Sequence, residues 1–314
     1  MLTVNCLLPI ENLHQPKRGI HQSKRGVHKI VPKKSVQSKE LAKMISKKTI
    51  MNIFKKNMAP ITEAAWKEIT EQTSRILNIY LTARKFVDIE GPAGLEQGGV
   101  STGRLILPKN NSQDGVNFGI REVVPFVEIR KPFELEIWEL DNLSRGAKDV
   151  NLKSLENAAK EIALIEDKAI YTGFEEANIK GLEKSASRKK IAFPNDPNDF
   201  LKRIGAEVIE LQKDGVEGPY TLVLNDKKWQ ELINLAKGYP ILKQLEDIIK
   251  GRIIINHSIE HSYLVAERGG DFELSLGQDI SIGYDSHTNE NVKLYFTESF
   301  TFRVLSPEAV RVFY

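Results

Sequence analysis

His257 and His261 stand four residues apart, the spacing that places two imidazoles on one face of a helix for binding zinc. Glu260, between them, has the chemistry of a general base in such a site. The flanking stretches, 253–255 and 263–265, are short apolar runs typical of strands. On an extended or turning backbone the four-residue spacing no longer brings the side chains together. We therefore expect a solvated loop here, and no metal site.

Two glycine-rich stretches are candidates for a loop that binds phosphate groups. Gly98–Gly103 is not followed by a Lys-Ser/Thr pair and leads into a strand pattern, whereas a phosphate-binding loop leads into a helix. Gly269 and Gly270 separate two strand patterns in the same way. Both are predicted to be turns. With no nucleophile elbow or cysteine nucleophile predicted in the body of the chain, the sequence indicates no catalytic residue.

The composition is that of a soluble globular chain: 314 residues, 41% hydrophobic and 28% charged. The chain has no apolar run long enough to span a membrane, and Met1–Ile10 lacks the pattern of a secretory signal. We therefore expect a cytoplasmic protein with no membrane partner. Cys6 is the single cysteine, which excludes an internal disulfide and a cysteine-based metal site.

The first 50 residues form a basic leader with eleven Lys or Arg and two acids, a net charge of +9. Because the whole chain is +3, residues 51–314 sum to −6, so the body has no overall attraction to nucleic acid. The leader contains a tandem heptad, 14–20 and 21–27, in a composition typical of a disordered arm. Two interpretations stay open: an arm that binds polyanions or cargo, or upstream sequence before a native start at Met51.

The elements that must position any site alternate between helical and extended patterns. Thr62 is a candidate N-cap for an amphipathic helix, and Leu152–Tyr171 predicts a long helix on which Glu166 is the one exception among the apolar positions. Two extended stretches, 102–107 and 116–124, predict a long β-hairpin. A hairpin of this kind is not stable alone in water, so we expect it to lie on another subunit.

The remaining segments interleave helices and strands irregularly. Phe126–Leu140 alternates apolar and charged residues, which predicts a half-buried strand with a bend near Pro132. Further helices are predicted at about 198–212, 226–236 and 241–250, and strands at 221–224, 252–256, 263–266, 272–276, 280–284 and 292–305. This order favours an α+β fold over a doubly wound parallel sheet.

Several ordered segments match a known family. They are Met51–Lys56, Ala59–Glu63, Arg84–Pro92, Trp138–Leu143, Gly215–Val223, Glu267–Phe272, Leu276–Tyr284 and Glu298–Phe302. In these segments the body of the chain resembles the family 1 encapsulins, linocin-like or bacteriocin-like shell proteins of nanocompartments that are related to phage capsids. The leader lies outside the resemblance.

The resemblance implies the Hong Kong 97 phage capsid fold, and it divides the chain accordingly. The expected parts are the leader (1–50), an amino-terminal helix and arm (51–98), an extension loop (99–125), a peripheral domain with a spine helix (126–185), most of an axial domain (186–255) and carboxy-terminal strands that complete both domains (256–314). The predicted hairpin takes the place of the extension loop, which lies on a neighbouring subunit.

The resemblance also implies a structural protein and not an enzyme. It implies an icosahedral homo-oligomer of about 60 subunits, a cytoplasmic nanocompartment, with no specific nucleic acid partner. The expected cargo is a ferritin-like protein that stores iron or a dye-decolourising peroxidase that acts in oxidative stress. Any iron would be held by the cargo and not by the shell. The alternatives are a prophage major capsid protein, or a hydrolase or bacteriocin, which the missing catalytic motifs disfavour.

In relatives, a C-terminal peptide of the cargo docks against the amino-terminal helix and the peripheral domain. The matching positions here are Ile69, Ile76, Tyr80, Arg84 and Asp88. The alternative for the apolar positions is ordinary packing of a helix against the core.

Two further sites come from the resemblance. Lys237, Gly238, Tyr239 and Pro240 match the loop that surrounds the fivefold pore, although a Gly-Tyr-Pro sequence is also typical of a plain turn. Arg130 and Trp138 match positions where some relatives hold a flavin (FMN) on the shell. Otherwise Trp138 is a tryptophan at the end of a half-buried strand. No cofactor is required by the sequence.

Overall fold

The computed structural model describes residues 53–194, 196, 199–234 and 238–314, with backbone alone for 238–240. The helices are α1 (Glu63–Tyr80), α2 (Ile137–Ser144), α3 (Lys153–Tyr171), α4 (Gly181–Ser185), α5 (Phe200–Lys213), α6 (Asp226–Asn234) and α7 (Gly238–Ile249). The strands are β1 (Asp88–Glu90), β2 (Gly99–Ile106), β3 (Ser112–Gln113), β4 (Val116–Asn117), β5 (Ile120–Pro125), β6 (Val127–Glu136), β7 (Tyr220–Asn225), β8 (Ile253–Asn256), β9 (Ser262–Ala266), β10 (Phe272–His287), β11 (Asn291–Val304) and β12 (Val310–Phe313). The leader lies outside the described residues.

The first helix begins where the sequence predicts. The Thr62 hydroxyl oxygen accepts a hydrogen bond from the Ala65 N–H at 3.3 Å, which satisfies one of the unpaired donors at the helix start. Ala65, Ile69, Thr73 and Leu77 recur one turn apart and form the buried stripe of α1. The predicted N-cap and amphipathic helix are confirmed.

The first sheet has the strand order β1-β10-β11-β6, and α1 and α3 pack beside its β6–β11 side. The long antiparallel pair β10 and β11 forms its centre. Phe133 of β6 and Phe296 of β11 stack at 4.9 Å between ring centroids, in a core that also contains Leu155 and Ile162 of α3. The predicted long helix over 152–171 is confirmed as α3.

The second sheet has the order β12-β9-β7-β8. Strands β7 and β8 are parallel and are joined through α6 and α7, a β-helix-β connection of the kind that parallel strands require. Its buried residues, including Leu222 and Leu264, share one hydrophobic core with Tyr171 at the end of α3 and with Phe272 and Phe300 of the first sheet. The mixture of two small sheets with helices confirms the predicted α+β class.

Strands β2 and β5 form the predicted hairpin, and β3 and β4 pair at its tip. An irregularity between Ser101 and Leu105 interrupts the register, and Gly103 adopts a φ of 75° there, a conformation that favours glycine. The hairpin exposes large apolar side chains along most of its length: Leu105, Ile106, Leu107, Val116, Phe118, Ile120 and Val123. It therefore carries an apolar surface with no cover from the described part of its own chain.

The structure corrects the prediction of one strand over 126–140. Strand β6 ends at Glu136, and α2 begins at Ile137, whose N–H donates to the carbonyl of Glu290. Within α2, Leu140 and Leu143 both pack into the core. Their separation of three residues is the spacing of one helix face. Trp138 therefore stands in the first turn of a helix and not at the end of a strand.

Two smaller predictions also change. The predicted strands 272–276 and 280–284 are parts of the single strand β10, with register irregularities between them. Helix α7 begins at Gly238, so the Gly-Tyr-Pro sequence belongs to its first turn and is not a separate turn. Proline is tolerated there because the first amides of a helix have no intrahelical partner.

Candidate functional site

A buried ion cluster surrounds Arg84, which follows α1. Its guanidinium donates to Glu166 of α3 through Nε at 2.9 Å, to Asp279 of β10 at 2.9 Å and to Glu298 of β11 at 2.7 Å. The side chains of Glu166 and Glu298 are fully buried, and that of Arg84 is 9% exposed. One cation thus ties three elements of the fold to the segment after α1.

Three carboxyl groups around one cation cannot all be ionised at low cost in a buried site. Burial, and next the neighbouring charge of Glu166, raise the pKa of Glu298 well above its usual range. The pKa of Glu166 is lowered, because its ion pair with Arg84 outweighs the effect of burial. Of the two carboxyl groups, Glu298 is therefore the more readily protonated, and its Oε2 has no hydrogen-bond partner among the described atoms.

The next residue of α3, Asp167, anchors the same segment. Its carboxylate accepts hydrogen bonds from the Thr82 hydroxyl at 2.6 Å, from the Ala83 N–H at 3.1 Å and from the Asn256 amide at 3.0 Å. Burial raises the pKa of Asp167 to about 7, although these donors favour its charged form. Together, Glu166 and Asp167 clamp the chain between α1 and β1 to the long helix. Both carboxyl groups are fully buried.

An open cleft of about 390 Å³ lies beside β1, lined by Asp88, Ile89, Glu90, Gly270, Glu273 and Leu305. The Gly270 N–H donates to Asp88 at 2.6 Å, which fixes the turn between β9 and β10 against β1. Arg303 donates to Glu273 at 2.5 Å. The cleft thus combines three carboxylates with two aliphatic side chains, and β1 is the last strand of its sheet on this side.

The five predicted peptide-binding residues separate in the structure. Asp88 lines the cleft, and Ile76 and Tyr80 are partly buried on α1. Ile69 is fully buried in the core, and Arg84 is bound on all sides within the ion cluster. The burial of Ile69 favours the alternative of ordinary helix packing at that position, and the ion pairs of Arg84 occupy its guanidinium within the fold. The peptide-binding role of the five residues stays a prediction. Glu90, Glu273 and Leu305 were missed, since they come from distant segments that only the sheet brings together.

Arg130 and Trp138 have different partners in the structure. The Arg130 guanidinium lies 4.3 Å from the ring centroid of Tyr295, and Trp138 has Arg145 at 5.5 Å. The Trp138 residue is 67% exposed. Both residues are thus accessible, and each aromatic ring already has a cation beside it.

The pore loop and the two histidines are the remaining predicted sites. Lys237 lies outside the described residues, and Gly238–Pro240 are described by their backbone alone, in α7. His257 and His261 lie between β8 and β9 and face different partners, Asp226 at 2.5 Å and Lys190 at 2.9 Å. They do not converge, as expected for a loop.

The hairpin contains a serine motif that was not predicted from the sequence. Gly99–Gly103 has the spacing Gly-x-Ser-x-Gly of a nucleophile elbow. The structure places it within strand β2 of the hairpin, so the prediction of a turn over Gly98–Gly103 is wrong, and Ser101 does not stand at a strand-to-helix turn. Across the part of the chain that the structure describes, every helix is also too short or too polar to traverse a bilayer.

The fold itself has known counterparts among capsid-like shells. The structure matches the virus-like particle of Pyrococcus furiosus with a TM-score of 0.57, over 79% of this chain and 99% of that chain, at 18% sequence identity. The chain therefore has the Hong Kong 97 phage capsid fold that its resemblance implied.

Sequence comparison narrows this class to one family. The family model described as "Encapsulating protein for peroxidase" matches residues 51–301. The type 1 encapsulin shell protein of Rhodococcus erythropolis is 39% identical over 261 residues, covering 83% of this chain and 98% of the relative. That of Mycolicibacterium paratuberculosis is 39% identical over 263 residues, covering 82% and 98%. The chain belongs to the encapsulin family, whose members are structural proteins that form shells.

Proposed function

We propose that copies of this chain assemble into a closed icosahedral shell in the cytoplasm, with about 60 subunits in the smallest icosahedral form. The exposed apolar face of the β2–β5 hairpin carries this proposal. Large side chains such as Leu105 and Ile120 are more than half exposed, and burial of that exposed part by a neighbouring subunit would contribute about 1–2 kcal/mol for each. Closed symmetry repeats that contact at every subunit.

Electron microscopy and light scattering of the purified full-length chain test assembly. We expect closed particles of uniform diameter. Monomers or small oligomers alone would overturn the proposal. Co-purified nucleic acid inside intact particles, measured by ultraviolet absorbance, would favour the alternative of a prophage capsid protein.

We propose further that the shell encloses a cargo enzyme, most directly a peroxidase, because the family description names one. A ferritin-like iron-storage protein is the second candidate, and in that case the cargo holds the iron. The cargo's C-terminal peptide would dock across the last turn of α1 and the cleft beside β1. Ile76, Ile79 and Tyr80 are adjacent on that turn, and Ile79 is 54% exposed.

Cargo docking can be tested with a fluorescent protein fused to the C-terminal segment of the peroxidase or ferritin-like protein encoded beside the shell gene. We expect it to co-purify with shells after co-expression. Ile79→Asp should reduce loading, whereas Ile209→Asp on α5, where the isoleucine is also 54% exposed, should not. Equal loading in both variants would exclude α1 as the docking surface.

We also propose that the shell holds FMN at Arg130 and Trp138. The exposed indole of Trp138 would stack on the flavin ring, and Arg130 would supply a cation for its phosphate. Such a flavin would add redox chemistry to the shell wall. Visible absorbance of purified shells tests this: Trp138→Ala should lose any flavin signal while particle size stays unchanged. Shells of the unaltered chain that take up no added FMN would exclude the site.

A further inference from the structure

The cleft beside β1 has more negative charge than its own chain neutralises. Among the described residues, Arg303 pairs with Glu273, while Asp88 accepts only the backbone N–H of Gly270. Glu90 is exposed and makes no ion pair in the described part of the chain. With three carboxylates and one paired arginine, the cleft keeps a net charge of about −2, favouring a positively charged occupant.

The apolar side chains of the cleft define the rest of its occupant. Ile89 is partly buried, and Leu305 is 49% exposed at the rim. Among the described residues, strand β1 pairs with β10 on one side only and is the last strand of the sheet, so its other edge can accept an extended segment. The cleft therefore suits an extended peptide that combines cations with aliphatic residues.

The leader of this chain has that composition. Its two heptads contain Lys17-Arg18-Gly19-Ile20 and Lys24-Arg25-Gly26-Val27, each with two cations followed by glycine and a β-branched residue. The leader as a whole carries +9 against −6 for the body.

The leader also enters the described structure near the cleft. Ile53 and Leu95 line the same small pocket. Leu95 follows a segment that continues from β1 along β10. In that segment the Ala93 N–H donates to the Leu276 carbonyl, and the Gly94 N–H donates to the Gly277 carbonyl. Leu95 is five positions after Glu90 in the chain, a span of at most about 17 Å. The 26 residues from Val27 to Ile53 can extend up to about 90 Å, so the heptads can reach the cleft.

We propose that the basic heptads of the leader dock in the acidic cleft beside β1, in their own or a neighbouring copy. A consequence, which rests on the proposed function, is that the leader competes with the cargo peptide for the cleft and limits loading.

Zero-length carbodiimide coupling of lysines to carboxylates in the assembled full-length protein, mapped by mass spectrometry, tests the docking without any cargo. We expect Lys17 and Lys24 to couple to Asp88, Glu90 and Glu273. Because each surface ion pair contributes about 0.2–1 kcal/mol, Glu90→Gln should lower the coupling to Asp88 and Glu273 by about 1.4- to 5-fold. The matched control is Glu134→Gln, an exposed glutamate on β6 at the opposite edge of the sheet, and it should change nothing.

High salt should also reduce the coupling, since it screens surface charges. The proposal is overturned if the leader lysines couple equally to Glu134 and other exposed carboxylates. It is equally overturned if they couple to none and co-purified nucleic acid holds the leader instead. Reporter loading that rises when Lys17, Arg18, Lys24 and Arg25 are all replaced by glutamine would support the competition. Unchanged loading, with coupling intact, would reject the competition alone.

Discussion

Arg84 shows how a residue acquires its role from partners far away in the chain. Its carboxylate partners lie 82, 195 and 214 residues further on, so sequence spacing could not connect them. The one visible signal was Glu166, an acid at a buried position of an apolar helix. A buried ionised acid requires a cation or several hydrogen-bond donors, and for Glu166 the partner is the cation Arg84.

Removing Arg84 should leave Glu166 buried and uncompensated. We expect Arg84→Met to destabilise the folded chain by about 3–5 kcal/mol, measured as the loss in free energy of unfolding in urea. Adding Glu166→Gln to Arg84→Met should recover part of that loss. The control is Arg75→Met on α1, where the arginine side chain is 62% exposed and the expected loss is below about 1 kcal/mol. Equal losses at positions 84 and 75 would contradict the clamp.

The same cluster predicts an unusual pH dependence. Glu298 and Asp167 have folded-state pKa values raised above those of the unfolded chain, to about 7 for Asp167. The folded chain therefore binds protons that the unfolded chain has released above about pH 4. The stability from both groups is complete below that pH, and the part that comes from Asp167 is lost as the pH rises through about 7.

We expect the urea midpoint to fall between about pH 5.5 and about pH 8, and to fall less in Glu298→Gln, because glutamine resembles the protonated acid. Glu166→Gln should instead lower stability throughout, since Arg84 holds the ionised form. A flatter profile for Glu166→Gln alone would place the proton on Glu166.

At the scale of elements, predictions succeeded where a segment was long and periodic. Helices α1 and α3 and the β2–β5 hairpin were all predicted, because their side-chain patterns repeat over many residues. Helix α2 was missed, since its eight residues directly continue an alternating strand without a glycine or proline to mark the change. There the tertiary contact of Leu140 decides the conformation.

The hairpin supports a prediction about assembly. Deleting the tip, Asn110–Gly115, should reduce the yield of closed particles while the circular dichroism of the soluble chain stays unchanged, because the tip contributes no buried residue to either core. Size-exclusion chromatography separates the two outcomes. Shells that form at normal yield would show that the hairpin does not brace a neighbouring subunit.

At the scale of the whole molecule, the pore assignment remains a proposal that assembly must test. We expect Tyr239→Ala to change the access of small reagents to the lumen and to leave particle size unchanged, because a bulky ring at a constriction limits passage. The rate at which an enclosed reporter is quenched by a small molecule measures that access. An unchanged rate in intact shells would refute a role for Tyr239 in the pore.

The α+β class, the long helices, the hairpin, the charge division between leader and body, and the family could all be predicted from the sequence. These follow from local periodicity, composition and ordered matches, which need no knowledge of contacts. Only the tertiary structure decided that Arg84 and Ile69 are interior, that Trp138 stands on a helix, and that Asp88, Glu90 and Glu273 share one cleft with Leu305. These contacts lie beyond the reach of sequence patterns because the pairing of β1 with β10 joins residues 185 positions apart, and that pairing also brings Leu305 into the same cleft.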